Sequence, residues 1–296
     1  MSVAKEQREK LIWEFPNIGK KAPEQEEKAF AYCEGYKEFL NVAKTEREFV
    51  REAVLRLKEA GYEEFEEGKI YQPGDKVYQI NRKKALLMST FGKRPLEDGV
   101  RINVAHIDSP RLDLKPNPLY EKAEAAYFKT HYYGAIRKYQ WATIPLAMHG
   151  VVILKDGTSM DICIGEKEGD PVFCVTDLLP HLAAQQNERK LKDGIKGEEL
   201  NIIVGSLPYP CEEEDSIKEP VKLLALSILN ERFGMTEKDF LRAEIEFVPA
   251  VKATDVGLDR SLVGAYGQDD KVCVHGTDRR DESQVPGIYD CYDSGR

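Results

Sequence analysis

The sequence predicts an α/β protein interrupted by a β-rich section. Three observations carry this reading. A capped amphipathic helix lies near the start, apolar strands follow it, and the character of the chain changes after about Leu112. The length of 296 residues suits two domains or one large α/β unit.

Residues 25–40 have a helical pattern. Thr45-Glu46-Arg47-Glu48 forms a capping box, in which the Thr45 hydroxyl accepts from the Glu48 amide and the Glu48 side chain reaches back. Phe49, Val50, Ala53, Val54, Leu57 and Ala60 then recur at helical spacing, and Gly61 supplies a stop. Residues 76–81 and 85–91 read as neighbouring strands, and 100–107 as a buried one.

After Leu112 come Pro116, Pro118, four tyrosines (127, 132, 133, 139) and Trp141, ahead of an apolar strand at 144–154. Lys155-Asp156-Gly157-Thr158 offers a hairpin turn into 159–165, and 172–176 reads as a third strand. Residues 188–199 are charged, hold two glycines and read as a surface loop. Pro220 opens a helix containing Leu223, Leu224, Leu226, Ile228 and Leu229, which Gly234 closes. Ala243, Ile245 and Phe247 alternate with Glu244 and Glu246, the pattern of a half-exposed strand.

A formal net charge of −9 argues against nonspecific nucleic-acid binding, which needs a basic surface. No apolar run reaches the ~18 residues of a membrane span, and the polar first ten residues lack a secretory signal. The six cysteines (33, 163, 174, 211, 273, 291) have no CxxC spacing and read as reduced thiols of a cytoplasmic protein.

The densest chemistry is Val104-Ala105-His106-Ile107-Asp108-Ser109-Pro110-Arg111-Leu112-Asp113. Side chains two apart on a strand share a face, so His106 and Asp108 can aim at one spot. An imidazole is a good zinc ligand, and a neighbouring carboxylate can fix its tautomer. A purely structural histidine fits the same spacing. Asp269 and Asp270 follow Gly267 at a loop edge, as a solvated pair or as a carboxylate bridging two divalent ions. His181, beside Leu179, Pro180 and Leu182, reads as a core or interface histidine; His131 and His149 read as structural. Arg111 and Asp113 read as a surface ion pair, and the tyrosine-rich stretch as packing or an oligomer interface.

Four ordered motifs together resemble the aspartyl aminopeptidase/aminopeptidase I family of dinuclear zinc aminopeptidases, over most of residues 10–273. They are Ala105-His106-Ile107-Asp108-Ser109-Pro110-Arg111-Leu112-Asp113-Leu114-Lys115, Tyr132-Tyr133-Gly134-Ala135-Ile136-Arg137-Lys138-Tyr139-Gln140-Trp141, Asp177-Leu178-Leu179-Pro180-His181-Leu182, and Asp259-Arg260-Ser261-Leu262-Val263-Gly264-Ala265-Tyr266-Gly267-Gln268-Asp269-Asp270. The resemblance implies a zinc-exopeptidase-like catalytic domain at 1–112 and 251–273, interrupted by a β-rich dimerisation domain at 113–250. It implies dimers that assemble into dodecamers, peptide substrates and two zinc ions, with cobalt or manganese as possible replacements. His106 would ligate one metal, catalytic Asp108 would orient it, and Asp270, in preference to Asp269, would bridge the ions. His181 would reach a neighbouring subunit's active site.

The implied reaction is removal of N-terminal amino acids by metal-activated water, with a glutamate as base. The family's adjacent glutamates, further carboxylate ligand and final histidine have no counterpart here. The expectation is therefore a truncated catalytic domain, inactive alone. Alternatives are a non-catalytic assembly subunit and another metal-dependent deacylase of the same superfamily. The tail at 274–296 has three glycines, a proline, five acids and little periodicity, the composition of a disordered end. It can be back-translated so that a one-base slip within the Val274 codon gives YTALTGGMKVKSPEYTTVTILA, a helix-like start followed by a β-branched strand. A frameshift is the corresponding expectation, and the gene's DNA sequence tests it.

Overall fold

The computed structural model describes residues 3–13, 25–210 and 217–275. The expectations for the tail beyond residue 275, and for Cys211 and Cys291, lie outside the described residues.

Helix α1 (Val3–Leu11) buries no residue, whereas α2 (Glu26–Val42) and α3 (Glu46–Glu59) build a core. The predicted capping box starts α3: the Glu48 amide donates to Thr45 Oγ1, and the Thr45 amide donates to Glu48 Oε2 at 3.0 Å. The apolar face of α3 places Phe49, Val50 and Leu57 against Phe39 of α2. Both helices pack on a three-stranded sheet of β1 (Glu63–Glu64), β2 (Lys76–Asn81) and β3 (Ala85–Thr90), with β1 parallel and β3 antiparallel to β2. Tyr78, Leu86 and Met88 supply the sheet's side of this core.

The buried strand expected at 100–107 does not form. Residues 101–110 have no regular structure, and Val100, Ile102 and Val104 are exposed. Among the described residues no strand runs alongside to take up their backbone donors and acceptors, so apolar pattern alone does not make a strand here. Ile107 is the exception, buried in the α2–α3 core.

A second, larger sheet follows. It contains β4 (Arg111–Lys122), β5 (Ala125–Tyr133), β6 (Leu146–Ile153), β7 (Ser159–Ile164), β8 (Cys174–Val175), β9 (Ile202–Gly205) and β10 (Ala243–Pro249). The order is β7-β6-β10-β4-β5-β9-β8, and every pairing is antiparallel. Isolated bridges from Phe173 to Leu146 and from Val175 to Ala142 bring its far edge back toward the start of β6, which curls the sheet. Leu112, Phe128, Leu146, Met148, Val152, Ile202 and Phe247 fill its core. Helix α4 (Pro220–Phe233) closes this core with Val221, Ala225 and Leu229. The Val221 and Lys222 amides donate to Glu121 Oε2 at 2.9 and 3.0 Å, placing a carboxylate at the positive end of α4.

Strand β10 is central, not half-exposed as its alternation predicts, and Glu246 is only 3% exposed. Its glutamate face meets cations. Glu244 pairs with Arg47 and Lys84, and Glu246 lies beside Arg111. The polar half of the alternation therefore faces the α2–α3 layer, not water. A short hairpin, β11 (Thr254–Val256) with β12 (Leu262–Gly264), then leads to α5 (Gln268–His275).

Candidate metal centre

His106 and Asp108 occupy the irregular segment just before β4. His106 Nδ1 lies 3.0 Å from the backbone oxygen of Asp108 and 3.2 Å from its Oδ1. A carbonyl oxygen only accepts, so Nδ1 carries a proton in that contact. Nε2 then faces Asp269 Oδ1 at 3.2 Å, across 163 residues of sequence. Partial burial disfavours the charged ring, but the Asp108 carbonyl and the carboxylates of Asp108, Asp269 and Asp270 outweigh it and raise the His106 pKa.

Asp269 and Asp270 form a non-helical opening to α5, and the peptide between them is cis. Gly267 makes this approach possible. Its φ is +78°, and a Cβ there would lie 2.9 Å from Lys271 Nζ and 3.0 Å from Ser109 Oγ. Tyr266 ties the same loop down by donating to the Pro110 oxygen at 2.9 Å. Beneath it, Lys271 is fully buried and donates to the Lys44 oxygen at 3.0 Å; burial pushes its pKa down to about 8.

Arg111 is a buried junction, not the surface ion pair expected. It is 8% exposed, donates to Glu46 Oε1 at 2.9 Å and Asp113 Oδ1 at 2.8 Å, and lies 4.0 Å over the Tyr133 ring. Tyr133 donates to Asp108 Oδ2 at 2.8 Å. Burial favours the neutral Asp108 carboxyl, but the Tyr133 hydroxyl and His106 hold its pKa below the usual range. Spacing marked His106 and Asp108 in the sequence. It could not mark Tyr133, Glu46 or Lys271, whose roles come from sheet register and from long-range packing.

The donor set fits zinc. One imidazole nitrogen is oriented by an oxygen acceptor at its other nitrogen, and carboxylate oxygens face it, a nitrogen–oxygen set that zinc, cobalt and manganese all accept. Asp269 makes the contact with Nε2, while Asp270 acts on His106 through its charge.

The described residues hold one other ligating cluster, Glu48, His149 and Cys163, with donor atoms within 4.8 Å of one another. Here both ring nitrogens are already engaged, Nδ1 by Glu48 at 2.7 Å and Nε2 by Glu166 at 3.1 Å. Burial opposes the charged ring, but Cys163, Glu166 and Glu48 hold the His149 pKa up to about 11. Lys44 Nζ sits 2.6 Å from the same Glu166 oxygen. This is an imidazolium between carboxylates, and a metal would have to displace its proton. His149 thus sits between carboxylates, not in the apolar surroundings expected for it. His131 is exposed and stacks on Tyr132. His181 is also exposed, outside any core, beside exposed Leu178, Leu179 and Leu182.

A family model described as aminopeptidase I zinc metalloprotease (M18) matches residues 39–279. The chain belongs to this family. A probable M18 family aminopeptidase 1 of Clostridium acetobutylicum is 48% identical over 270 residues, covering 90% of this chain and 57% of the relative. The crystal structure of an M18 aminopeptidase from Thermotoga maritima superposes with a TM-score of 0.86 at 44% identity, covering 95% of this chain and 60% of that one. The yeast aminopeptidase solved as a dodecamer shares the fold at 17% identity, with a TM-score of 0.61 and coverage of 88% of this chain and 59% of its own. The chain thus spans a little over half the length of the relatives it matches. The mixed α/β fold with its curled sheet is that of the M18 structures. No described helix is long and apolar enough to cross a membrane.

Proposed function

We propose that this chain carries part of the metal-binding face of an aminopeptidase that removes N-terminal amino acids from peptides. The observation that supports this is the convergence of His106 with Asp269 across 163 residues, in a chain whose family is a zinc metalloprotease. His106 would hold zinc through Nε2 with Asp108 orienting it, and Asp270, or alternatively Asp269, would be the carboxylate shared within a two-zinc site.

Bound zinc would supply a Lewis acid that lowers the pKa of water and stabilises developing negative charge. The chain's own residues prepare for that. Proton donation from Nδ1 to Asp108 leaves Nε2 as the ligating atom, and Nε2 must lose any proton before it binds. Affinity therefore rises with pH through the raised His106 pKa. The described residues bring one imidazole and three aspartates to this face, one of them (Asp108) orienting the imidazole, short of the set a dinuclear site needs, so turnover by this chain alone is negligible. The metal is zinc in this reading, with cobalt or manganese as substitutes, and the location is cytoplasmic.

The catalytic portion comprises 1–112 and 251–273, and the segment 113–250 is an inserted dimerisation domain. Self-association uses this insert and could extend to a dodecamer. His181 then reaches a neighbouring copy, which accounts for a histidine among exposed leucines (Leu178 54%, Leu179 66% and Leu182 70% exposed). That patch favours a second reading, an assembly subunit without activity. Size-exclusion chromatography of the chain mixed with an intact relative separates the two.

The test of the primary reading is a cobalt(II) titration followed by visible absorbance, alongside assays on aminoacyl chromogenic substrates. The expected result is binding that disappears in His106→Ala and weakens in Asp270→Asn, without turnover. Cobalt binding indifferent to both substitutions overturns the metal site. Turnover abolished by His106→Ala overturns the inactivity.

A further inference from the structure

We propose that Tyr133, on the larger sheet, is a positioning residue for His106 and acts through the carboxylate of Asp108. The inference rests on reading His106 as the ligand, and it extends that reading to the neighbouring sheet.

The register of the β4–β5 pair sets up the contact. Tyr133 stands directly opposite Arg111, the first residue of β4. From there its hydroxyl reaches back past Arg111 and donates to Asp108 Oδ2 at 2.8 Å. The other oxygen of the same carboxylate, Oδ1, lies 3.2 Å from His106 Nδ1. Tyr133 and His106 therefore hold opposite oxygens of one carboxylate, which leaves that group little freedom to rotate. Removing the hydroxyl lets the carboxylate turn and weakens one of the two Asp108 oxygens that face Nδ1, the backbone carbonyl at 3.0 Å being the other.

The ring of Tyr133 is itself held. The Arg111 guanidinium lies 4.0 Å over it, a cation–π distance, and Glu46 and Asp113 fix that guanidinium. Tyr133 is 39% exposed, so no core packing explains its position. A run of contacts thus leads from Glu46 on α3, through Arg111 and Tyr133 on the sheet, to Asp108 and His106. Partners that orient a ligating histidine typically change metal affinity 10–100-fold when removed.

The test uses Tyr133→Phe, which keeps the ring over Arg111 and removes only the hydroxyl. The first readout needs no metal. Long-range proton–nitrogen NMR of histidine-labelled protein at alkaline pH, where the ring is neutral, reports which nitrogen of His106 holds the proton. The proton is expected mainly on Nδ1 in the parent, held by the Asp108 carbonyl and carboxylate, and to shift partly toward Nε2 in Tyr133→Phe, where only the carbonyl stays fixed. The second readout is cobalt(II) affinity, expected to fall about tenfold in Tyr133→Phe. It should fall no further when Tyr133→Phe is added to Asp108→Ala, because residues acting through one another are not additive. Metal-free melting should be unchanged, which separates positioning from a structural role.

An unchanged His106 tautomer in Tyr133→Phe overturns the proposal, as does a full additional loss of affinity in the Asp108→Ala background. A tautomer shift in Tyr133→Phe together with cobalt binding indifferent to His106→Ala leaves Tyr133 as the positioner and removes the metal reading instead.

Discussion

His149 is 2% exposed yet carries a charge, and the residues around it determine what that charge does. Glu48 and Glu166 flank the ring, and its pKa stands at about 11 against an ordinary 6.5. A base whose folded pKa is raised stabilises the fold fully below the unfolded value and loses that contribution as pH climbs through the folded one. His149→Gln should therefore cost about 3–5 kcal/mol in urea unfolding near pH 6, as expected when one partner of a buried ion pair is removed. The gap between parent and variant should close as pH rises from 6.5 toward 11. A gap constant with pH would show that the ring is held neutral. Glu246 has the opposite sign. Burial, and the charge of Glu46 beside it, push its pKa well above the carboxylate range despite Arg111 at 3.3 Å. The folded state holds a proton that the unfolded state releases, so stability falls as pH rises above 4.5. Glu246→Gln should match the parent at pH 5 and exceed it by about 1 kcal/mol or more at pH 8. Equal urea midpoints at both pH values would show that Glu246 is ionised throughout.

Elements whose signals are local were readable in the sequence. The α3 start follows from side chains three residues apart, and Thr45→Ala should cost about 1 kcal/mol in thermal or urea unfolding. A loss under a few tenths would mean that the first turn of α3 is held by packing instead. Helix α4 was legible for the same reason: proline at its first position, and Gly234 at φ +68° at its end. Strand β2 has the limits read from the sequence, and the turn at 155–158 does join β6 to β7. Signals that depend on distant partners were not readable. Residues 100–107 have a strand's composition without a neighbour, and β10 has a surface strand's alternation while three cations cover its polar face. The site divides along the same line. His106 and Asp108 are two residues apart and visible in the sequence, whereas the Tyr133 contact depends on which residue of β5 stands opposite Arg111.

At the scale of the whole molecule, two apolar cores meet across a seam crossed by several ion pairs. Lys44 pairs with Glu166 at 2.6 Å and donates to the Pro249 and Val251 oxygens. Arg47 pairs with Glu244, Glu46 with Arg111, and Glu48 with His149. Such pairs fix the relative placement of the layers but give less net stability than apolar burial of similar extent. The two cores should therefore open separately, and the smaller should open first. It rests on two helices and three strands, against seven strands and a helix for the other. Residues 93–104 also lead out of it, exposed throughout and without strand pairing, with the local hydrogen bonds of one short turn, Asp98 to Pro95 and Gly99 to Leu96. Brief digestion with a nonspecific protease should cut first within 93–104. It should then leave a resistant fragment from about Arg111 to about Ala250, identifiable by mass spectrometry. A resistant fragment spanning α2 to β3, with the larger sheet digested, would reverse the order. It would mean that the ion-paired seam, and not the sheet's apolar core, holds residues 113–250 together.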